Sequence, residues 1–462
     1  MQTHLDRAHE SFRALFDGAE PTFCVAAPGR INLIGEHTDY NGFPVMPIAL
    51  ERAIHVLATP SHDGLVVLGN CEPDAYGRRE FPVSAQIEPY DAGDWGNYAK
   101  AAVQSLVRRH GEQAGRIDAL HGMRCMVCGS IPPACGLSSS SALVVAHALA
   151  FLACNTPECG AWASREERSA LAELTAIGER YVGTQGGGMD QAVCLLATAG
   201  RALKIDFYPL RARTIPFPPD HVIVAAHSTV RAPKAASKRV AFNRRVIECT
   251  VGKELLARRL GRPAPPTLAD LRRPADGSTP QGLLETLCEI TGGRENLSVQ
   301  QAAKLLGMSA DRFAGAFLRM KDGSAIPVGR EGLKVLPRCR HVLTEGPRVE
   351  RAAELLAAGD AAGLGELMDE SHRSGALDYE ISTPELDALT GIMREGGALG
   401  ARLTGAGFGG FAIALIGRRA APKLLGRIER DFYQARGVPS EGNLHLFSPA
   451  AGASVIDLRA KH

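Results

Sequence analysis

The sequence predicts a mixed α and β protein of two to three domains with a cleft between them, and three observations carry that expectation. The chain has 462 residues, more than one hydrophobic core usually organises. From Phe23 to about Leu210, short β-branched runs alternate with longer helical stretches, and a proline-marked run, TIPFPPDHVIVAAH, then restarts the pattern. Apolar residues make up 45% and charged residues 22% of the chain, the balance of an ordinary globular protein.

Taken in order, MQTHLDRAHESFRALF mixes charge into an amphipathic pattern and reads as a first helix rather than a leader segment. A strand holds Val66 and Val67, a helix covers Asn97 to Arg109, and MRCMVC alternates like a buried strand. Cys125 and Cys128 in that run form a CxxC, but no second pair follows at zinc spacing, so they read as core. Eleven cysteines, an odd number at irregular spacing, point to free thiols in a reducing, cytoplasmic setting.

A domain boundary is expected between residues 212 and 213, giving units 1–212 and 213–462. Beyond it come a strand around Val222 to Ala226, a basic helix over about 232–260 and a Pro-rich connection opening a helical insert near 265–336. From Arg338 the chain reads as helical up to the glycine cluster at Gly405, and strand-like pieces end it. Within the insert, SVQQAAKLLGMSADRFAGAF has helix-turn-helix spacing. A formal charge of +2 and the lack of a flanking basic patch favour plain helix packing, with no nucleic-acid partner expected. No apolar run of about 18 residues occurs, so no membrane role is expected either.

Three segments bear chemistry. APGRINLIGEHTDYNGFPVMPIAL ends a strand in a polar knot of Glu36, His37, Thr38, Asp39, Tyr40 and Asn41, suited to reading hydroxyls that both donate and accept. GSIPPACGLSSSSALVVAHALAFLA runs from turn residues into an apolar helix near Ser140, an anion site made of free N–H groups, helix dipole and serine hydroxyls, one of them a possible magnesium ligand. The lysine of a Walker A loop is absent. GERYVGTQGGGMDQAVCLLATAG sets Glu179 and Asp190 on either side of a glycine-rich bend, with Asp190 opening a helix, where a simple cap is the competing reading. GARLTGAGFGGFAIAL then places Gly405, Gly407, Gly409 and Gly410 directly before a strand.

Together these motifs resemble the galactokinases within the wider family of kinases for galactose, homoserine, mevalonate and phosphomevalonate (GHMP kinases). GRINLIGEHTDYNG resembles the galactokinase signature, PPACGLSSSSA the phosphate loop, GGGMDQ the catalytic-base motif and TGAGFGG the C-terminal glycine motif. LMDESHRSGALDYEISTPELD is similar as well. The resemblance implies an α+β, two-domain GHMP kinase fold, with an N-terminal ribosomal S5 domain 2-like half, a C-terminal ferredoxin-like half and the active site in the cleft. It implies ATP-dependent phosphorylation of the anomeric hydroxyl of galactose, with Mg2+ as cofactor.

By the same resemblance Asp190 and Arg30 fall on the catalytic pair, and Glu36, His37, Thr38, Asp39, Gly187 and Phe242 on the sugar site. Ala134, Cys135, Gly136, Leu137, Ser138, Ser139 and Ser140 fall on the triphosphate loop, Trp95 near the adenine, and Ser140 and Glu179 on the magnesium ligands. Phe242, in AFNRRVIE, stands where such kinases commonly have a sugar-contacting tyrosine, and the GGGMDQ spacing and insert are closer to the N-acetylgalactosamine kinase and fungal galactokinase arm. N-acetylgalactosamine kinase is therefore the near alternative, and a non-catalytic galactose sensor the distant one.

Overall fold

The computed structural model describes residues 4–459, apart from 115–116, 132–135, 157–162, 183–186, 231–234, 274–275, 277 and 321–322. The first part of the chain runs α1 (His4–Leu15), β1 (Phe23–Ile34), β2 (Met46–Ser61), β3 (Leu65–Asn70), β4 (Arg79–Pro82), α2 (Gly96–Ala114), β5 (Gly122–Gly129), α3 (Ser139–Asn155), α4 (Arg165–Gly178), α5 (Met189–Leu196), β6 (Arg201–Asp206) and β7 (Arg211–Pro216). The second runs β8 (His221–His227), α6 (Ala235–Arg259), α7 (Pro280–Thr291), α8 (Val299–Leu306), α9 (Ala310–Phe317), α10 (Val335–Ala357), α11 (Ala361–Leu377), α12 (Pro384–Glu395), β9 (Gly400–Leu403), β10 (Phe411–Gly417), α13 (Ala421–Ile428), β11 (Leu444–Phe447) and β12 (Ser454–Asp457).

A six-stranded sheet in the order β12-β1-β2-β5-β3-β4 forms the first half. Its strands sort side chains by the two-residue period of a pleat. On β5, Met123, Cys125 and Val127 enter the main core beneath α2 and α3, while Met126 and Cys128 enter a smaller cluster roofed by Ala8 and Phe12 of α1. A spacing of three therefore puts the two sulfurs of the CxxC on opposite faces of the sheet, which rules out a shared ion and leaves both as buried thiols.

The second sheet, β11-β8-β10-β9, is buried on both faces at its central strands β8 and β10. Ile223 and Ala225 of β8 join the core of the first half, and Val222, Val224 and Ala226 join a second core built with α6, α10 and α12. The two halves thus meet through one apolar layer. In the insert, Ala302, Ala303, Leu306 and Phe313 of the α8–α9 pair point into that second core, so the helix-turn-helix spacing is accounted for by packing.

Two sequence expectations need correction. The boundary at 212/213 cuts through β7, which pairs with β6 from Arg211 to Pro216. The last strand also belongs to the first half, because β12 pairs antiparallel with β1 from Phe23↔Asp457 to Ala26↔Ser454. Short edge strands carry no local signal for the sheet they will join, since pairing is decided by non-local register. The helical reading up to Gly405 likewise missed β9, a four-residue strand whose residues are all buried and therefore show no alternation.

Candidate active site

The site grows from the end of β1. Arg30 is 7% exposed and its backbone N–H reaches the Leu137 carbonyl at 3.1 Å, zipping the strand to the phosphate-loop segment. Its guanidinium forks onto both oxygens of Asp190, at 2.8 and 3.0 Å, and places its remaining terminal nitrogen 2.6 Å from the Gly136 carbonyl. A bidentate pair of this kind fixes both groups in orientation as well as charge.

Asp190 is the second residue of α5, whose N-cap is Gly188 at φ 103° with no side-chain cap bond. The capping alternative therefore fails, because the carboxylate is spent on Arg30 and on the Ser138 hydroxyl, which donates to it. Ser138 itself sits in the left-handed region at φ 61° and makes no cap bond to α3, so its side chain serves Asp190 and leaves the first turn of that 17-residue helix without a side-chain cap. Those N–H groups and the dipole behind them lie where the sequence leads one to expect an anion site. Ser139 and Ser140 lie half-buried at that turn, and Leu137 packs into the core. Ala134 and Cys135 lie outside the described residues.

Glu179 caps α4 from the C-terminal side and is 8% exposed. Burial pushes its carboxyl up to about 7, opposed by hydroxyls of Ser141 and Ser140. Ser141 donates to it at 2.8 Å and the Gln191 amide also donates to it. Ser141 and Gln191 are absent from the sequence reading. The signal was present in their spacing, since each follows a candidate residue by one, but only the fold shows which neighbour turns inward. Among the described residues no group of three or more His, Cys, Asp or Glu side chains could hold a metal ion. What the fold offers is one desolvated carboxylate beside a hydroxyl, a partial set of hard oxygens that suits magnesium, which takes its other ligands from phosphates and water.

The polar knot lies next door. Asp39 accepts the Gly187 N–H at 3.0 Å, and burial together with the nearby Asp190 charge raises its carboxyl to about 6. A Cβ on Gly187 would stand 2.6 Å from the Asp39 carboxyl carbon, so only glycine allows that approach. Glu36 is 2% exposed and takes the Gly405 N–H at 2.8 Å, with Arg402 at 3.6 Å. His37 adopts φ 61°, and burial holds its imidazole neutral, down to about 3. Phe242 faces the His37 ring at 5.2 Å and Tyr40 at 5.6 Å, which brings α6 into the knot.

Two further candidate residues are buried by bonds to the protein itself. Thr38 is fully buried, with its hydroxyl donating to the Gly35 and Pro44 carbonyls at 2.9 and 2.8 Å, so it braces the turn rather than facing sugar. Trp95 is 8% exposed, its indole N–H bonded to the Gly77 carbonyl at 3.1 Å and its ring edge-on to Tyr76, so it offers a buried wall rather than a free stacking face.

The two glycine loops come together. An added Cβ on Gly405 would lie 3.1 Å from the Gly136 carbonyl, which places TGAGFGG directly against the phosphate loop. The arrangement holds an acid and a cation in register beside the uncapped N-terminus of α3 and a knot of buried polar groups, an arrangement that suits a sugar kinase.

Comparison with known proteins agrees with that reading. Residues 10–60 match the galactokinase galactose-binding signature, residues 97–198 the GHMP kinase N-terminal domain and residues 352–434 the GHMP kinase C-terminal domain. Over 98% of its length the chain is 33% identical to a galactokinase of Homo sapiens, covering 97% of it. It is 30% identical to one of Dictyostelium discoideum, with 98% of this chain and 93% of that one covered. The solved structure of Lactococcus lactis galactokinase complexed with galactose superposes with a TM-score of 0.74 at 27% identity, covering 98% of this chain and all of that one. A mevalonate kinase at 16% identity, 94% and 99% covered, with a TM-score of 0.53, shares the fold.

Proposed function

The chain belongs to the galactokinase family of GHMP kinases and is an ATP-dependent sugar kinase, and from that premise we propose how its residues divide the work. The observation that carries the proposal is the Arg30–Asp190 fork set against the open N-terminus of α3. Asp190 accepts or orients the proton of the anomeric hydroxyl of galactose, turning it toward the terminal phosphate. Arg30 holds the Asp190 carboxylate in place through its two-point fork and lends positive charge to the transferring group. The first turn of α3, with Ser138, Ser139 and Ser140 and the Gly136 and Gly405 backbones, cradles the phosphates of ATP.

Glu36, His37 and Asp39 read the sugar hydroxyls, with Gly187 closing over Asp39 and Phe242 forming an apolar wall. Glu179 and Ser140 would hold Mg2+, which neutralises phosphate charge when bound. Phe242 in place of a hydroxyl-bearing ring leaves room for an acetamido group, but the Homo sapiens, Dictyostelium discoideum and Lactococcus lactis relatives are galactokinases, so galactose is placed first. The chemistry suits a cytoplasmic supply of ATP, and no described helix is long and apolar enough to cross a membrane.

A turnover assay over a panel of hexoses, with phosphorus NMR of the product, tests the reading. Galactose 1-phosphate as main product supports it. A kcat/KM preference of more than about tenfold for N-acetylgalactosamine would overturn the choice of sugar, since one pocket contact is worth that much.

A further inference from the structure

His37 is tightly constrained within the sugar knot. Its backbone is left-handed at φ 61°, a conformation that costs a non-glycine residue energy and persists only when the surroundings enforce it. Its carbonyl takes the Asn41 amide at 3.0 Å, and its ring stands among Tyr379 at 4.9 Å, Phe242 at 5.2 Å and Tyr40 at 5.8 Å. Such burial requires a partner for each ring nitrogen.

Those partners set a direction. Nε2 lies 3.2 Å from the Ala406 carbonyl oxygen, which can only accept, so Nε2 carries the hydrogen. In a neutral imidazole Nδ1 must then accept, and the hydroxyl 2.8 Å from it, Tyr40 Oη, must donate. The oxygen of Tyr40 is left to accept from Tyr379 Oη at 2.9 Å, and the oxygen of Tyr379 to accept from the Cys249 thiol at 3.3 Å. The chain of donors thus runs one way, from α6 through the segment after α11 and the β1 knot to the C-terminal glycine loop.

We propose that Tyr40 and Tyr379 are positioning residues that lock His37 in the Nε2–H tautomer, so that its one N–H ties the imidazole to the Ala406 carbonyl of the glycine loop and fixes the ring within the sugar knot. This rests on the reading that His37 contacts the sugar. It adds that the donor character of His37 is imposed from the second half of the molecule, because Tyr379 and Ala406 both lie beyond residue 370 while His37 and Tyr40 belong to the first half. Either tautomer would satisfy a solvent-exposed histidine. Here the Ala406 carbonyl favours the Nε2–H form, and the tyrosine pair supplies the donor to Nδ1 that completes it.

The test is the tautomer itself, read on the wild-type full-length protein by nitrogen-15 NMR of labelled histidine, with His37→Gln identifying the signal. A protonated Nε2 and an unprotonated Nδ1 are expected, unchanged between pH 6 and 8, and a protonated Nδ1 would overturn the proposal. Tyr40→Phe leaves Nδ1 without its donor and is expected to mix the tautomers and raise the sugar KM about five- to fiftyfold, with kcat and the KM for ATP within about twofold. Tyr379→Phe, which keeps the Tyr40 donor, is expected to raise it less. Tyr40→Phe with a wild-type tautomer signal, or with sugar and ATP constants moving together, would also overturn it. Should His37→Gln leave the sugar KM unchanged, the sugar-contact reading fails instead while the tautomer result stands, so the two failures are distinguishable.

Discussion

The phosphoryl-transfer end of the site and the sugar knot share β1 but are held by opposite means. Arg30, Gly136, Ser138, Ser141, Glu179, Asp190 and Gln191 bond to one another within the first half, across β1, the start of α3, the end of α4 and the start of α5. The knot instead hangs from the second half. Glu36 accepts from Gly405 N–H, His37 donates to the Ala406 carbonyl, Tyr40 accepts from Tyr379, Gly35 donates to Glu345 at 2.9 Å, and His341 bonds the Glu36 carbonyl at 3.0 Å. The group proposed to react is thus fixed by local packing, whereas Glu36 and His37, two of the groups proposed to choose the sugar, depend on the two halves being docked.

The largest expected effect falls on the self-contained end. Asp190→Asn should lower turnover by about a hundredfold or more, the contribution of a positioned acid–base group. ATP binding by calorimetry should stay close to wild type. Wild-type turnover would remove Asp190 from its proposed role and dissolve the comparison.

Next comes the docking itself. Glu345 is fully buried and takes Gly35 N–H, the Ser371 hydroxyl and Arg348. Burial alone would raise its carboxyl, but Arg348, His341 and Arg402 outweigh it and hold the group at about 2. A depressed carboxylate contributes stability that is full above its ordinary 4.5 and is lost as pH falls from there toward about 2. Glu345→Gln should therefore cost about 1–3 kcal/mol near neutral pH and flatten acid unfolding across that window. Thermal and acid denaturation followed by circular dichroism check both. If the knot depends on docking, the sugar KM rises in this variant and the ATP KM does not.

A smaller effect comes from Asp39. With its carboxyl raised to about 6 and its job being to accept from sugar hydroxyls, kcat/KM for sugar should fall as pH drops below about 6, by about tenfold per unit. Asp39→Asn should remove that acid limb along with most of the affinity. A limb that persists in the variant would assign it to another group.

The smallest is Phe242→Tyr, which returns a hydroxyl beside His37 and should tighten galactose by a few-fold, worth about 1 kcal/mol. A steady-state comparison of galactose with N-acetylgalactosamine reads it, and a gain for the bulkier sugar would reverse the assumed geometry of the pocket.

Much of this was legible from residues alone, for a physical reason. The helix at 139–155, the strand at 221–227 and the buried β5 follow from local periodicity, and the anion site follows from turn residues before an apolar helix. Asp190 and Arg30 were legible only because their flanking motifs carry the family resemblance, since 160 residues separate them and no spacing rule joins them. Tertiary structure alone decided that Asp190 is no cap, that Thr38 faces inward, that Ser141 and Gln191 serve Glu179, that β12 closes the first sheet, and that the knot leans on Glu345, Tyr379 and Ala406. Each of these is a choice between neighbours that look alike along the chain. It is settled by which side chain meets a buried donor or acceptor that must be paired, and that partner comes from distant sequence.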